Sequence, residues 1–77
     1  MIAADEIRRR ILCSLPDAEV KVRDMTGTSD HYEVRIVSAS FAGRSLMARH
    51  RTVYASLRDV IGGDLHALSL EALAPGD

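Results

Sequence analysis

The sequence predicts an α+β fold: a three-stranded sheet covered on one face by helices, in the order α-β-β-α(α)-β. Three observations carry that prediction. Two short segments alternate apolar and polar residues, the period of a strand with one wet face. Two longer segments space their apolar residues as helices do. At 77 residues with 47% hydrophobic content, the chain has material for a single core, and residues 1–77 read as one domain.

The first helix is expected from about Ala3 to Ser14. Ile7, Ile11 and Leu15 fall at helical spacing, and Asp5 and Glu6 sit in the first turn, where the helix dipole favours carboxylates. Pro16-Asp17 ends it, because the residue before proline is driven out of helical geometry. Ala18 to Arg23 alternates strictly and reads as a strand. Thr26-Gly27-Thr28-Ser29-Asp30 is a turn by composition. A second strand follows, with Tyr32, Val34 and Ile36 on one side and His31, Glu33 and Arg35 on the other. The two strands are expected to pair as an antiparallel hairpin.

After Gly43 the period becomes helical. Leu46, His50, Val53, Tyr54, Leu57 and Ile61 form the expected apolar stripe, with a short helical turn at Arg44 to Ala48 before the main helix. Gly62-Gly63 is the expected stop. Leu65 to Leu73 reads as the third strand, and Pro75-Gly76-Asp77 as a loose tail. Amphipathic strands need one covering layer, which the two helical regions supply.

Composition narrows the function classes. The net charge of −1 gives no global pull toward a polyanion. Cys13 is the single cysteine and cannot form an internal disulfide, which fits a reducing compartment. No secretory leader is visible and no apolar run approaches the ~20 residues of a membrane span. The expectation is a soluble, cytoplasmic protein. No catalytic constellation stands out: Ser29, Asp30 and His31 are consecutive, and neighbours on a strand point to opposite faces. An enzyme is not expected.

Five groups of residues merit a chemical reading. His66 opens the last strand beside a loop, where an imidazole can bind a metal or cap the strand. His31 ends the turn on the wet face. His50, on the apolar stripe, is expected to be partly buried and satisfied. Cys13 reads as a small hydrophobe on its helix. There is no CxxC, no HExxH and no histidine pair at ligand spacing, so a metal cluster would need ligands from a partner. Arg44, Arg49, Arg51 and Arg58 form a basic run with no acid before Asp59. It reads either as a solvated face or as a phosphate-contacting one, with no exposed aromatics expected beside it.

Four blocks in order resemble the BolA-like family: Asp30-His31-Tyr32-Glu33-Val34 with Ile36-Val37-Ser38; Phe41-Ala42-Gly43-Arg44-Ser45; Arg49-His50-Arg51 with Val53-Tyr54; and Leu65-His66-Ala67-Leu68. The resemblance implies an α-β-β-α-α-β, class II KH-like arrangement. It also implies partnership with a monothiol glutaredoxin and a 2Fe-2S cluster shared with that partner and glutathione, in cluster trafficking or iron regulation. On that resemblance His66 corresponds to the histidine ligand of the last strand. The second ligand would come from the loop between the first two strands, where His31 is the only histidine and no cysteine is present. Some relatives are transcriptional regulators that contact DNA, which makes Arg44, Arg49, Arg51 and Arg58 the alternative site. A metal-free homodimer is the third expectation.

Overall fold

A computed structural model of the chain describes residues 2–25, 27, 31–61, 63 and 67–77. The elements are α1 (Ala4–Ser14), β1 (Glu19–Asp24), β2 (His31–Val37), a 3₁₀ turn at Ala39–Phe41, α2 (Leu46–Ser56) and β3 (Ala67–Leu73). The sheet runs β1-β2-β3. β1 pairs antiparallel with β2, from Glu19 opposite Val37 to Asp24 opposite Tyr32. β3 pairs parallel with β2, from His31 beside Ala67 to Val37 beside Leu73. The expected hairpin and the α+β class are therefore present.

β2 follows the predicted parity. Tyr32, Val34 and Ile36 are buried, and Glu33 and Arg35 face water. They pack with Ile7 and Ile11 of α1, with Leu15, Phe41, Val53, Leu57 and Val60, and with Ala72 of β3. Val20 and Val22 of β1 and Leu68 and Leu70 of β3 flank this core, half-buried. The buried Tyr32 hydroxyl donates to the carbonyl of Ile2, so the one polar atom of that side chain is satisfied.

The connection from β2 to α2 is held by buried polar chemistry. Ser38 is 1% exposed. Its hydroxyl donates to the Asp17 carboxylate at 3.0 Å and accepts from the Ser40 amide at 3.1 Å. Asp17 also accepts from the Ala39 amide at 3.0 Å. The pair caps the 3₁₀ turn from both sides of the chain. Gly43 then takes φ +75, a left-handed conformation that costs a side-chain-bearing residue about 1–2 kcal/mol. Ser45 caps α2 by accepting from the Ala48 amide at 3.1 Å.

Three expectations about the second half of the chain are corrected. The short helical turn lies at Ala39–Phe41, not at Arg44 to Ala48, because Ser38 and Asp17 cap it there. The main helix ends at Ser56, before the glycine pair. Beyond it Arg58 N–H bonds to Ala55 O and Val60 N–H to Leu57 O, both three-residue closures. That tighter winding turns Leu57 and Val60 to the same side, into the core. Finally, the buried seam of α2 is not the six-residue stripe: Val53 and Leu57 are buried, whereas Leu46 is 63% exposed and Tyr54 and Ile61 also reach solvent. The seam runs through Arg49, Val53 and Leu57, four residues apart, with Arg49 turned inward to the Ala72 carbonyl and Asp77.

The tail is pinned rather than loose. Asp77 accepts from the Ala74 amide at 2.9 Å and from Arg49 Nη1 at 2.7 Å. The Ala74 amide first, and then the Arg49 guanidinium, hold its carboxyl below the ordinary value of 3.8. No helix among the described residues is long and apolar enough to cross a membrane.

Candidate functional site

One end of the sheet carries His31, the candidate ligand among the described residues. His31 is the first residue of β2 and is half-buried. The Met25 amide donates to the His31 carbonyl at 2.9 Å, which carries the β1–β2 pairing one step past Asp24 and Tyr32. On the other side His31 is in register with the backbone of Ala67, the first residue of β3. Parallel pairing is what puts the start of β3 beside the start of β2. His66 lies outside the described residues, as do Leu65, Thr26 and residues 28–30 of the turn. Among the described residues no three His, Cys, Asp or Glu side chains converge as a metal site.

The other two sequence candidates for metal chemistry stand apart from that end. Cys13 is exposed on α1, one turn after Arg9. His50 on α2 is half-buried, but it is not satisfied as expected: Nε2 is shielded from solvent and has no hydrogen-bond partner among the described residues. Its ring instead meets Tyr54 edge-on, with centroids 6.4 Å apart. The i,i+4 spacing along α2 brings the two rings together.

The four arginines divide. Arg49 is turned inward: its Nη1 donates to Ala72 O at 3.1 Å and to Asp77, and its Nε donates to Arg44 O at 3.1 Å. Its guanidinium also lies 6.0 Å from the Phe41 ring centroid. Arg44, Arg51 and Arg58 remain exposed. Arg51 reaches back one turn to the sulfur of Met47 at 3.5 Å. Met47, Arg51 and Tyr54 share one side of α2 by helical spacing, and Arg58 continues the line. An exposed aromatic therefore does stand among the basic residues, contrary to expectation. The three- and four-residue spacing from Arg51 to Tyr54 and Arg58 was the available signal.

Comparison with known proteins gives a consistent answer. The family model described as BolA-like protein matches residues 14–77. An uncharacterized protein of Rickettsia prowazekii is 32% identical over 73 residues, covering 95% of each chain. Human BolA-like protein 1 is 43% identical over 49 residues, which are 64% of this chain and 36% of that protein. The SufE-like protein 1 of Arabidopsis thaliana is 47% identical over 47 residues, only 13% of its length. Among solved structures, BolA1 from Arabidopsis thaliana superposes with a TM-score of 0.87 at 33% identity, covering 96% of this chain and 93% of that one. The BolA domain of SufE1 from the same plant gives 0.82 at 34% identity, with 97% and 96% coverage. Sequence, fold and coverage agree, and the chain belongs to the BolA-like family.

Proposed function

We propose that this chain is a non-enzymatic adaptor that binds a monothiol glutaredoxin and co-ligates a 2Fe-2S cluster shared with that partner and glutathione. The observation that carries the reading is the register of His31 with Ala67. Ala67, the first residue of β3, follows His66 in the sequence; His66 itself lies outside the described residues. The occurrence of a BolA domain in a SufE-like protein also hints at iron–sulfur work.

The donor set fits a shared cluster rather than a resident one. Fe-S clusters of this type are held by four ligands. His66 and His31 supply two imidazoles at most, and thiolates from the partner and from glutathione would complete the set. The cluster would supply electron-transfer or transferable iron and sulfur chemistry; the chain would supply imidazole donors. Imidazole ligates only when deprotonated, so acidification through the histidine range should release the complex.

The test is an anaerobic titration of the chain into cluster-loaded monothiol glutaredoxin, followed by visible absorption and circular dichroism. A new spectrum that is lost in His66→Ala and altered in His31→Ala supports the reading. An unchanged spectrum with the natural sequence removes it.

A second reading, DNA contact by a transcriptional regulator, is favoured by the exposed row of Arg51, Tyr54 and Arg58, with Arg44 nearby. Neutralising one arginine that touches a phosphate should lower the salt slope of binding by about 1. Gel-shift titrations of Arg51→Gln and Arg58→Gln measure it, and no binding at low salt discards this reading.

A further inference from the structure

Among the described residues, the arginines are matched by carboxylates everywhere but along α2 and its flanks. Arg8 pairs with Asp5, Arg9 and Arg10 with Glu6, Arg23 with Glu33, Arg35 with Glu71 and Arg49 with Asp77. Arg44, Arg51 and Arg58 are exposed and meet no acid among those residues. α2 itself contains no acid, and the first one after it, Asp59, is drawn toward Arg10 of α1 at 3.6 Å. The same stretch gathers exposed apolar side chains: Leu46 and Met47 in the first turn of α2, Tyr54 in its last, and Ile61 beyond it. Such residues scattered singly are ordinary, but a cluster rimmed by charge marks an interaction surface. Met47 and Tyr54 stand two turns apart on one side of the helix, a span of about 10 Å, with Arg51 between them.

We propose that the outer side of α2 docks an acidic amphipathic helix of a partner protein, whose apolar residues cover Met47 and Tyr54 and whose carboxylates pair with Arg51 and Arg58. Tyr, Met and Arg are the residue types enriched at protein interfaces, and spacing of three, four and seven residues is how one helix reads another. Charge complementarity selects the occupant. A second copy of α2 would set arginine against arginine with no acid between them. A nucleic-acid backbone would satisfy the arginines but offers little apolar surface to cover Leu46, Met47 and Ile61. The proposal uses neither His31 nor His66 and needs no cluster, so it stands or falls apart from the adaptor reading.

The experiment titrates the full chain with three short lactam-stapled helices, followed by fluorescence anisotropy and by amide shifts in nitrogen-15 NMR. One carries leucine at positions i, i+3, i+4 and i+7 with glutamate elsewhere; one replaces its glutamates by lysine; one replaces its leucines by serine. The first should bind, shifting the amides of Met47, Arg51, Tyr54 and Arg58, and the other two should bind about tenfold more weakly or worse. Met47→Ala and Tyr54→Ala should each weaken binding of the first about tenfold, as truncated interface anchors do. The double variant Arg51→Glu with Arg58→Glu should reverse the preference toward the lysine helix. Lys21→Gln, which removes an exposed cation on β1, should bind as the natural chain does. Far-UV circular dichroism checks that each variant is folded. The proposal fails if the first helix does not bind, if its shifts lie away from α2, if Met47→Ala and Tyr54→Ala retain full affinity, or if the charge reversal leaves the preference unchanged. It also fails if the serine helix binds as well as the first, or if an equal concentration of a short DNA duplex displaces the first; either result assigns the surface to charge alone.

Discussion

On the covered face of the sheet, Val34 and Ile36 have no solvent exposure. One residue away on the open face, Arg35 pairs with Glu71 across the β2–β3 ladder at 2.9 Å while both side chains stay more than half exposed. The same strand thus holds residues whose removal should cost very different amounts. Covered residues are stabilised by apolar area withdrawn from water and by close packing, which nothing replaces when a methyl is deleted. Open-face pairs exchange one well-solvated state for another. Stability resides on one side of the sheet, which leaves the other side free to vary for binding.

The contrast can be broken or sharpened by four substitutions. Ile36→Ala should cost about 2–5 kcal/mol, a large share of the stability of so small a domain. Urea denaturation would show it as a lower midpoint at unchanged slope. Ser38→Ala tests whether burial rather than polarity decides. It removes a hydroxyl between Asp17 and the Ser40 amide and should cost about 1–3 kcal/mol, because those partners are left unsatisfied. A neutral result in thermal denaturation would show that water replaces the hydroxyl.

Asp77→Asn should have a smaller effect that depends on pH. The Asp77 carboxyl is lowered in the folded chain, so the folded form binds its proton more weakly than the unfolded one. Its stabilisation is complete above the ordinary value of 3.8 and is lost as pH falls through the depressed folded value. The Tm difference between the natural chain and Asp77→Asn should therefore shrink on acidification below that range. A pH-independent difference would assign the loss to packing instead. Smallest of all, Arg35→Gln should change stability by about 0–1 kcal/mol, since the pair is solvated. A larger loss would mean that the open face is part of the stabilising structure, and the comparison would collapse.

What the sequence made legible was local. Strand parity identified Tyr32, Val34 and Ile36 as core, and the spacing of Ile7 and Ile11 identified the inner side of α1. What it hid depended on residues distant in the chain. The seam of α2 shifted because Arg49 is held by Asp77, 28 residues later, and by the carbonyl of Ala72. No periodicity within a helix encodes such a partner. The same holds for the sheet end. His31 was visible as a candidate, but only the parallel β2–β3 register places Ala67 beside it. His66 was legible by resemblance and lies outside the described residues.

The mixed pairing of β2 also orders events in time. Its β1 edge closes through a short turn, whereas its β3 edge must await a crossover that runs through the 3₁₀ turn and α2. Closure of the longer loop carries the greater entropy, and non-local pairing of this kind slows folding. The β1–β2 pairing is accordingly expected to form while the far edge of β2 is still bare. Any chemistry that requires the residues leading into β3 must wait for the last strand to dock.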